Sequence, residues 1–251
     1  MSIIIFALGL IIGSFINVCT YRIPREESIC YPPSTCPGCG ERIKIYDLIP
    51  VISYVILRGK CRNCKEKISI EYPIIELLTA FLFLFIYLTF GTSYEMIKNI
   101  VLVAFVEIIA IIDFKTMEVY NSLTYTAMAI GVLNVFIEKF IFGVPMLTYV
   151  LGAAIPAIFI FIINKLTGGF GEGDIDIFII IGLFLGIKLN GLTMFFSIIV
   201  GAVGAIIFIL AKKLKKKNAM PFVPCIFIGL IISLIWGNQM INSYLNLFIW
   251  T

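Results

Sequence analysis

The amino-acid sequence predicts an all-α polytopic membrane protein. It should have about eight transmembrane helices, with a small cytoplasmic zinc-ribbon-like tetracysteine domain between the first and second. Three observations carry this. Hydrophobic residues make up 61% of the 251, against about 45–50% in soluble domains, and the mean hydropathy is +1.07. Apolar runs recur along the chain, each near the roughly 20 residues that span a bilayer. The one long polar stretch carries four of the seven cysteines, as two Cys-x-x-Cys pairs.

Residues 3–21 form the first apolar run. It lacks a basic leading region and a small-residue cleavage site, so a retained helix is expected. The polar stretch occupies about 22–72. Further spans are expected at about 73–90, 97–113, 123–142, 147–164, 175–188, 193–211 and 222–237. The short apolar tail ends near Trp250, a residue type that anchors at membrane interfaces. The expected domains are 1–21, the first helix; 22–72, the tetracysteine domain; and 73–251, the transmembrane domain that holds two aspartates.

Charge sets the orientation. With the N-terminus outside, every basic residue of the 19 falls on the inside except Lys98, Lys139 and Lys188. The positive-inside rule selects this topology. The run Lys212, Lys213, Lys215, Lys216 and Lys217 reads as a topology anchor that touches anionic lipid. A net charge of +4 spread this way points to membrane lipid, not nucleic acid. There is no histidine, which excludes histidine triads, His-Glu-x-x-His zinc hydrolysis and histidine proton relays.

Cys36-Pro-Gly-Cys39 and Cys61-Arg-Asn-Cys64 stand 21 residues apart. This is close to zinc-ribbon spacing, in which each pair turns two thiolates onto one tetrahedral ion. Gly38 and Gly40 suit the tight turn. Four thiolates close the site, so zinc would fold the loop without activating water. Two disulfides are disfavoured in a cytoplasmic loop. Cys19 and Cys225 read as small apolar packers, and Cys30 has no assigned role.

Asp113 ends one apolar segment, and Asp174 opens another after Gly169-Phe170-Gly171-Glu172-Gly173. An ionisable residue beside membrane-length apolar sequence is a functional-site candidate. Two adjacent carboxylates share a proton; one then activates water while the other polarises a carbonyl. Gly171 and Gly173 allow close backbone approach. Taken singly, Asp113 reads equally as an interfacial residue or cap, and Gly-Asp turns are common. Glu107, deep in its span, reads as a buried polar contact between helices, and Glu76 as an interfacial residue.

Beyond these readings, the chain resembles the type IV prepilin peptidases, bacterial leader peptidase–N-methyltransferases of the GxGD aspartic class. The resemblance runs almost end to end. It covers Gly13-Ser14-Phe15-Ile16-Asn17-Val18, Tyr21-Arg22-Ile23-Pro24, the four cysteines, Asp47-Leu48-Ile49-Pro50, Ser53-Tyr54 and Leu57-Arg58-Gly59-Lys60-Cys61. It continues through Tyr72-Pro73, Glu76-Leu77-Leu78-Thr79, Asp113 and Gly171-Glu172-Gly173-Asp174. It implies Asp113 and Asp174 as the catalytic pair, with prepilins and pseudopilins as substrates. Cleavage of a short basic leader would occur at the cytoplasmic face of the bacterial inner membrane, in support of type IV pilus or type II secretion assembly. It implies methylation of the new N-terminus from S-adenosylmethionine, an activity associated with the tetracysteine loop, and Gly59 and Lys60 match positions linked to it.

The chain departs from the family pattern at Tyr120, where proline is common, at Asp176, where lysine is common, and at Val223, where glycine is usual. None of these is itself a catalytic aspartate. Asp176 brings a second negative charge close to Asp174. No Rossmann-type glycine fingerprint marks a nucleotide site. The competing reading is a proton-coupled transporter with a zinc-binding regulatory loop, against which the lack of inverted repeats counts.

Overall fold

A computed structural model describes residues 1–210 and 220–249. The lysine run 212–217 and Trp250 lie outside the described residues. Among those described, the regular structure is helical apart from two isolated bridges, Thr35–Arg42 and Lys60–Lys67. The helices are α1 (Ser2–Arg22), α2 (Ile52–Ile56), α3 (Glu71–Phe90), α4 (Tyr94–Thr116), α5 (Asn121–Phe142), α6 (Met146–Thr167), α7 (Glu172–Leu210) and α8 (Val223–Ile249).

Among the described residues, each of the eight expected apolar segments is helical over most of its length. Six helices among the described residues are long and apolar enough to cross a membrane. The difference has two causes. Helix α4 carries Glu95, Lys98, Glu107, Asp113 and Lys115, and is too charged to qualify. The segments expected at 175–188 and 193–211 share one helix, α7, as far as Leu210, and it breaks at Gly186. Large apolar side chains such as Ile3, Leu88, Phe140 and Leu166 are exposed, as suits a chain solvated by hydrocarbon. The protein is a multi-pass membrane protein.

The chain divides into two compact units, Met1–Ala104 and Phe105–Thr251. In the first, α1 and α3 pack antiparallel through small residues. A Cβ on Gly9 would come within 2.5 Å of Ala80 Cα, and one on Gly13 within 2.7 Å of Glu76 Cα. Gly9 and Gly13 form a Gly-x-x-x-Gly face that lets backbones approach. One turn on, Asn17 Nδ2 donates to the Tyr72 carbonyl at 3.1 Å.

In the second unit, α7 is a helical hairpin. Asn190 Nδ2 donates to the carbonyls of Phe178 and Gly152, each at 2.8 Å. In a straight helix, residues 178 and 190 would stand about 18 Å apart at 1.5 Å per residue. The chain therefore folds back at Gly186, whose φ of 73° and ψ of −175° suit glycine alone. Gly152 of α6 packs against this bend, 2.5 Å from the Gly186 carbonyl carbon if it bore a Cβ. Asn134 of α5 donates to the Leu183 carbonyl at 2.9 Å. The returning limb packs antiparallel on α8: Ser197 meets Gly229 and Leu189 meets Gly237.

Gly186→Ala is expected to destabilise this unit by about 1–3 kcal/mol, the cost of forcing a side chain into such a conformation. Its Cβ would also lie 3.0 Å from Thr148 Cγ2. Thermal unfolding of the detergent-solubilised protein measures this, with Gly191→Ala, which meets nothing within 4 Å, as the control.

Candidate active site

Asp113 lies in the last turn of α4. That helix stops at Met117, which has a φ of 58° and donates its N–H to the Asp113 carbonyl at 2.8 Å. Asp174 lies in the first turn of α7. Gly171, the residue before that helix, donates its N–H to Asp174 Oδ2 at 2.8 Å. This is half of a capping box, a third-position carboxylate reaching back to the cap N–H. The glycine motif is thus a built helix start, not a free-standing turn.

Three helix ends converge here. The N–H of Val223, first residue of α8, donates to Asp113 Oδ2 at 3.0 Å. Phe170, before α7, packs edge-on against Phe222, before α8, with ring centroids 4.8 Å apart. Val119, after α4, lies so close to Gly173 that a Cβ there would stand 2.5 Å from Val119 Cβ. At Gly171 the same atom would stand 3.6 Å from Asp174 Oδ2, an ordinary contact. Asp113 and Asp174 interact electrostatically, and each is only 6% exposed. Among the described residues, no other hydrogen bond engages either carboxyl group.

Three features of this site go beyond the sequence reading. Val223 is one of the departures from the family pattern, and it contacts Asp113 through its main chain. Cys225, two residues on, is buried in the core as a packing residue should be, and lies near both carboxylates. Asp176 stands one turn after Glu172, a like charge. The signal for Val223 was available: prolines 221 and 224 bracket a helix start. Nothing in the sequence placed that start at Asp113. Glu107 is buried, as expected.

The four cysteine sulfurs lie within 4.8 Å of one another, and Cys36 Sγ and Cys64 Sγ are 3.8 Å apart. Tetrahedral zinc with bonds of about 2.3 Å sets its sulfurs about 3.8 Å apart, so the quartet fits such an ion. Each pair sits in a matching knuckle. Cys36 N–H donates to the Glu41 carbonyl at 3.0 Å and Cys61 N–H to that of Glu66 at 2.8 Å. Gly40 and Lys65 fill equivalent left-handed positions, with φ of 70° and 64°. The main-chain N–H groups of Cys64 and Asn63 hold the Cys61 thiol down at about 7, which favours the thiolate that a metal needs. Arg62 clamps Asp47 with two bonds, at 2.8 and 2.6 Å. Gly59 is buried with a φ of 65°, and Lys60 beside it is exposed. Cys30 is exposed and outside the quartet.

Comparison with known proteins agrees with this layout. Residues 7–90 match the bacterial peptidase A24 N-terminal domain, and 100–209 match the type IV leader peptidase family. The prepilin leader peptidase/N-methyltransferase of Bacillus subtilis (strain 168) is 33% identical over 98% of this chain and 99% of its own length. The protein of that name from Neisseria gonorrhoeae is 33% identical over 82% of this chain and 81% of its own. That of Pseudomonas putida is 28% identical over 96% and 92%. The chain belongs to the type IV leader peptidase family. No solved structure matches it. The transporter reading finds no support, since these relatives are peptidases by name.

The purified protein is expected to carry about one zinc ion per chain, and Cys61→Ser to lose it, because three thiolates and a hydroxyl bind zinc far more weakly than four thiolates. Metal analysis of both proteins checks this.

Proposed function

We propose that this family member is a membrane-embedded aspartic endopeptidase with Asp113 and Asp174 as its catalytic pair. It removes the short basic leader from type IV prepilins and pseudopilins, then methylates the new N-terminus. The observation that carries this is the meeting of two buried carboxylates at the joined ends of α4, α7 and α8.

The chemistry follows from the pair. One carboxylate takes a proton from water, and the resulting hydroxide attacks the scissile carbonyl. The other, protonated, donates to the carbonyl oxygen as the tetrahedral centre forms. Collapse of that centre breaks the C–N bond. The amine leaves with a proton, and the leader leaves with a carboxyl group. Gly171 and Val223 N–H groups hold one oxygen of each carboxyl, so the remaining oxygens act on water and substrate. In the second reaction, S-adenosylmethionine supplies a methyl group to the new amine, leaving S-adenosylhomocysteine and a proton. We assign Gly59 and Lys60 to this step on the family resemblance.

Zinc on Cys36, Cys39, Cys61 and Cys64 would fold the loop that carries them and take no part in hydrolysis. The pair faces the cytoplasm of a bacterial inner membrane on the positive-inside argument. There a substrate with a basic leader and an apolar helix presents its cleavage site. Residues 22–72 are then the tetracysteine domain and 73–251 the transmembrane peptidase domain. Lipid and a prepilin are the partners.

Incubating purified protein with a prepilin tests the assignment. Wild type should cleave it, and Asp113→Asn and Asp174→Asn should each lose at least about a thousandfold in rate, as removal of a general acid or base commonly costs. Undiminished cleavage by both variants would refute it. Gly173→Ala should reduce cleavage far more than Gly171→Ala, because only the former Cβ meets a fixed neighbour, at Val119.

A further inference from the structure

Glu76, near the start of a membrane helix, is more closely held than its sequence position suggests. It sits in α3, is 7% exposed, and its Oε2 accepts the Val51 N–H at 2.7 Å. The backbone of α1 lies against it at Gly13. A carboxylate held between two membrane helices therefore reaches out to grip one point of the polar loop.

That point is strained. Val51 has φ of 60° and ψ of −49°, and the Ile52 N–H closes back on the Pro50 carbonyl at 2.5 Å. This is a positive-φ γ-turn, which is rare and costly. For a β-branched residue the conformation is an outlier that persists only where its surroundings impose it. The imposing group is Glu76. The turn leads directly into α2, whose Tyr54 lies against Gly59: a Cβ on Gly59 would stand 2.9 Å from the Tyr54 hydroxyl. Gly59 N–H donates to the Tyr54 carbonyl at 2.9 Å, and Arg58 and Gly59 are both left-handed, with φ of 52° and 65°. Lys60 and the metal-binding Cys61 follow. A continuous chain of contacts thus runs from Glu76 through Val51, α2 and Tyr54 to Gly59 and Lys60.

We propose that Glu76 is a positioning residue for methyl transfer: it pins the Val51 turn and so sets where Gly59 and Lys60 stand. This rests on the reading that Gly59 and Lys60 serve methyl transfer. Peptide cleavage, assigned to Asp113 and Asp174, does not require the turn.

The test uses full-length protein in detergent with a prepilin and S-adenosylmethionine, following cleavage and methylation separately by mass. Glu76→Ala should slow methylation by about ten- to a hundredfold, the usual effect of misplacing a reacting group by an ångström or less. Cleavage should change by no more than about threefold, a shift well below one lost contact, and zinc content should not change. Glu76→Gln keeps an oxygen that can accept the Val51 N–H, and should retain most methylation. Adding Val51→Gly to Glu76→Ala removes the side-chain strain and should recover part of the loss. Methylation by Glu76→Ala at the wild-type rate overturns the proposal. So does a parallel fall in cleavage and methylation, which marks a merely structural role. Wild type that cleaves but never methylates overturns the loop assignment itself, and the proposal with it.

Discussion

The hydrogen bond from Val223 N–H to Asp113 is the contact on which the paired aspartates of the second unit depend. Asp113 stands at the C-terminal end of α4, where that helix's own dipole opposes a negative charge. The N-terminus of α8 reverses this by bringing an N–H and the positive end of a second dipole. Asp174 needs no such loan, because it stands at the N-terminus of its own helix. A dipole and a hydrogen bond together supply about 2–3 kcal/mol in partly buried sites. Burying an unpaired carboxylate costs several kcal/mol. Two buried carboxylates so placed suit the shared proton that the proposed hydrolysis would use.

Keeping the three helix ends together falls to small residues. Gly173 admits Val119, and Gly201 and Gly204 of α7 admit Phe222 and Met220 of the segment before α8. The bend at Gly186 turns the second limb of α7 back so that these glycines can face that segment. Asn190 locks the bend through two carbonyls. Its amide must point its nitrogen at them, because a carbonyl accepts but cannot donate. In hydrocarbon such bonds have no water to compete with.

Periodicity and length made the eight apolar segments legible, because a membrane span is set by local composition. The cysteine spacing was legible for the same reason: each knuckle closes over a few residues. A reversal between 188 and 193 was legible from span length, but its bend at Gly186 was not, since one glycine among several in an apolar run carries no mark of its φ. The burial of Glu76 was not legible because burial is a tertiary property, and its partner Val51 is far off in the chain. The meeting of Asp113 with α8 spans 110 residues, and the sequence supplied only the paired prolines that open that helix.

Val223 shows how a departure from the family pattern can leave a site intact. Asp113 is held by a main-chain N–H, and any residue but proline provides one. What glycine adds at a position is freedom at positive φ, and Val223 does not need it: Val223 is the first residue of α8 and is absent from the residues with positive φ. Its side chain is fully buried, so valine adds apolar packing where glycine would leave space. The contrast with Val51 is instructive. There the same side chain stands in a conformation that valine resists, and a carboxylate is engaged to hold it. At Val223 the carboxylate is held by the valine's main chain, and in the first unit the valine's main chain is held by the carboxylate. The same pair of groups thus fixes Asp113 in one unit and a loop in the other.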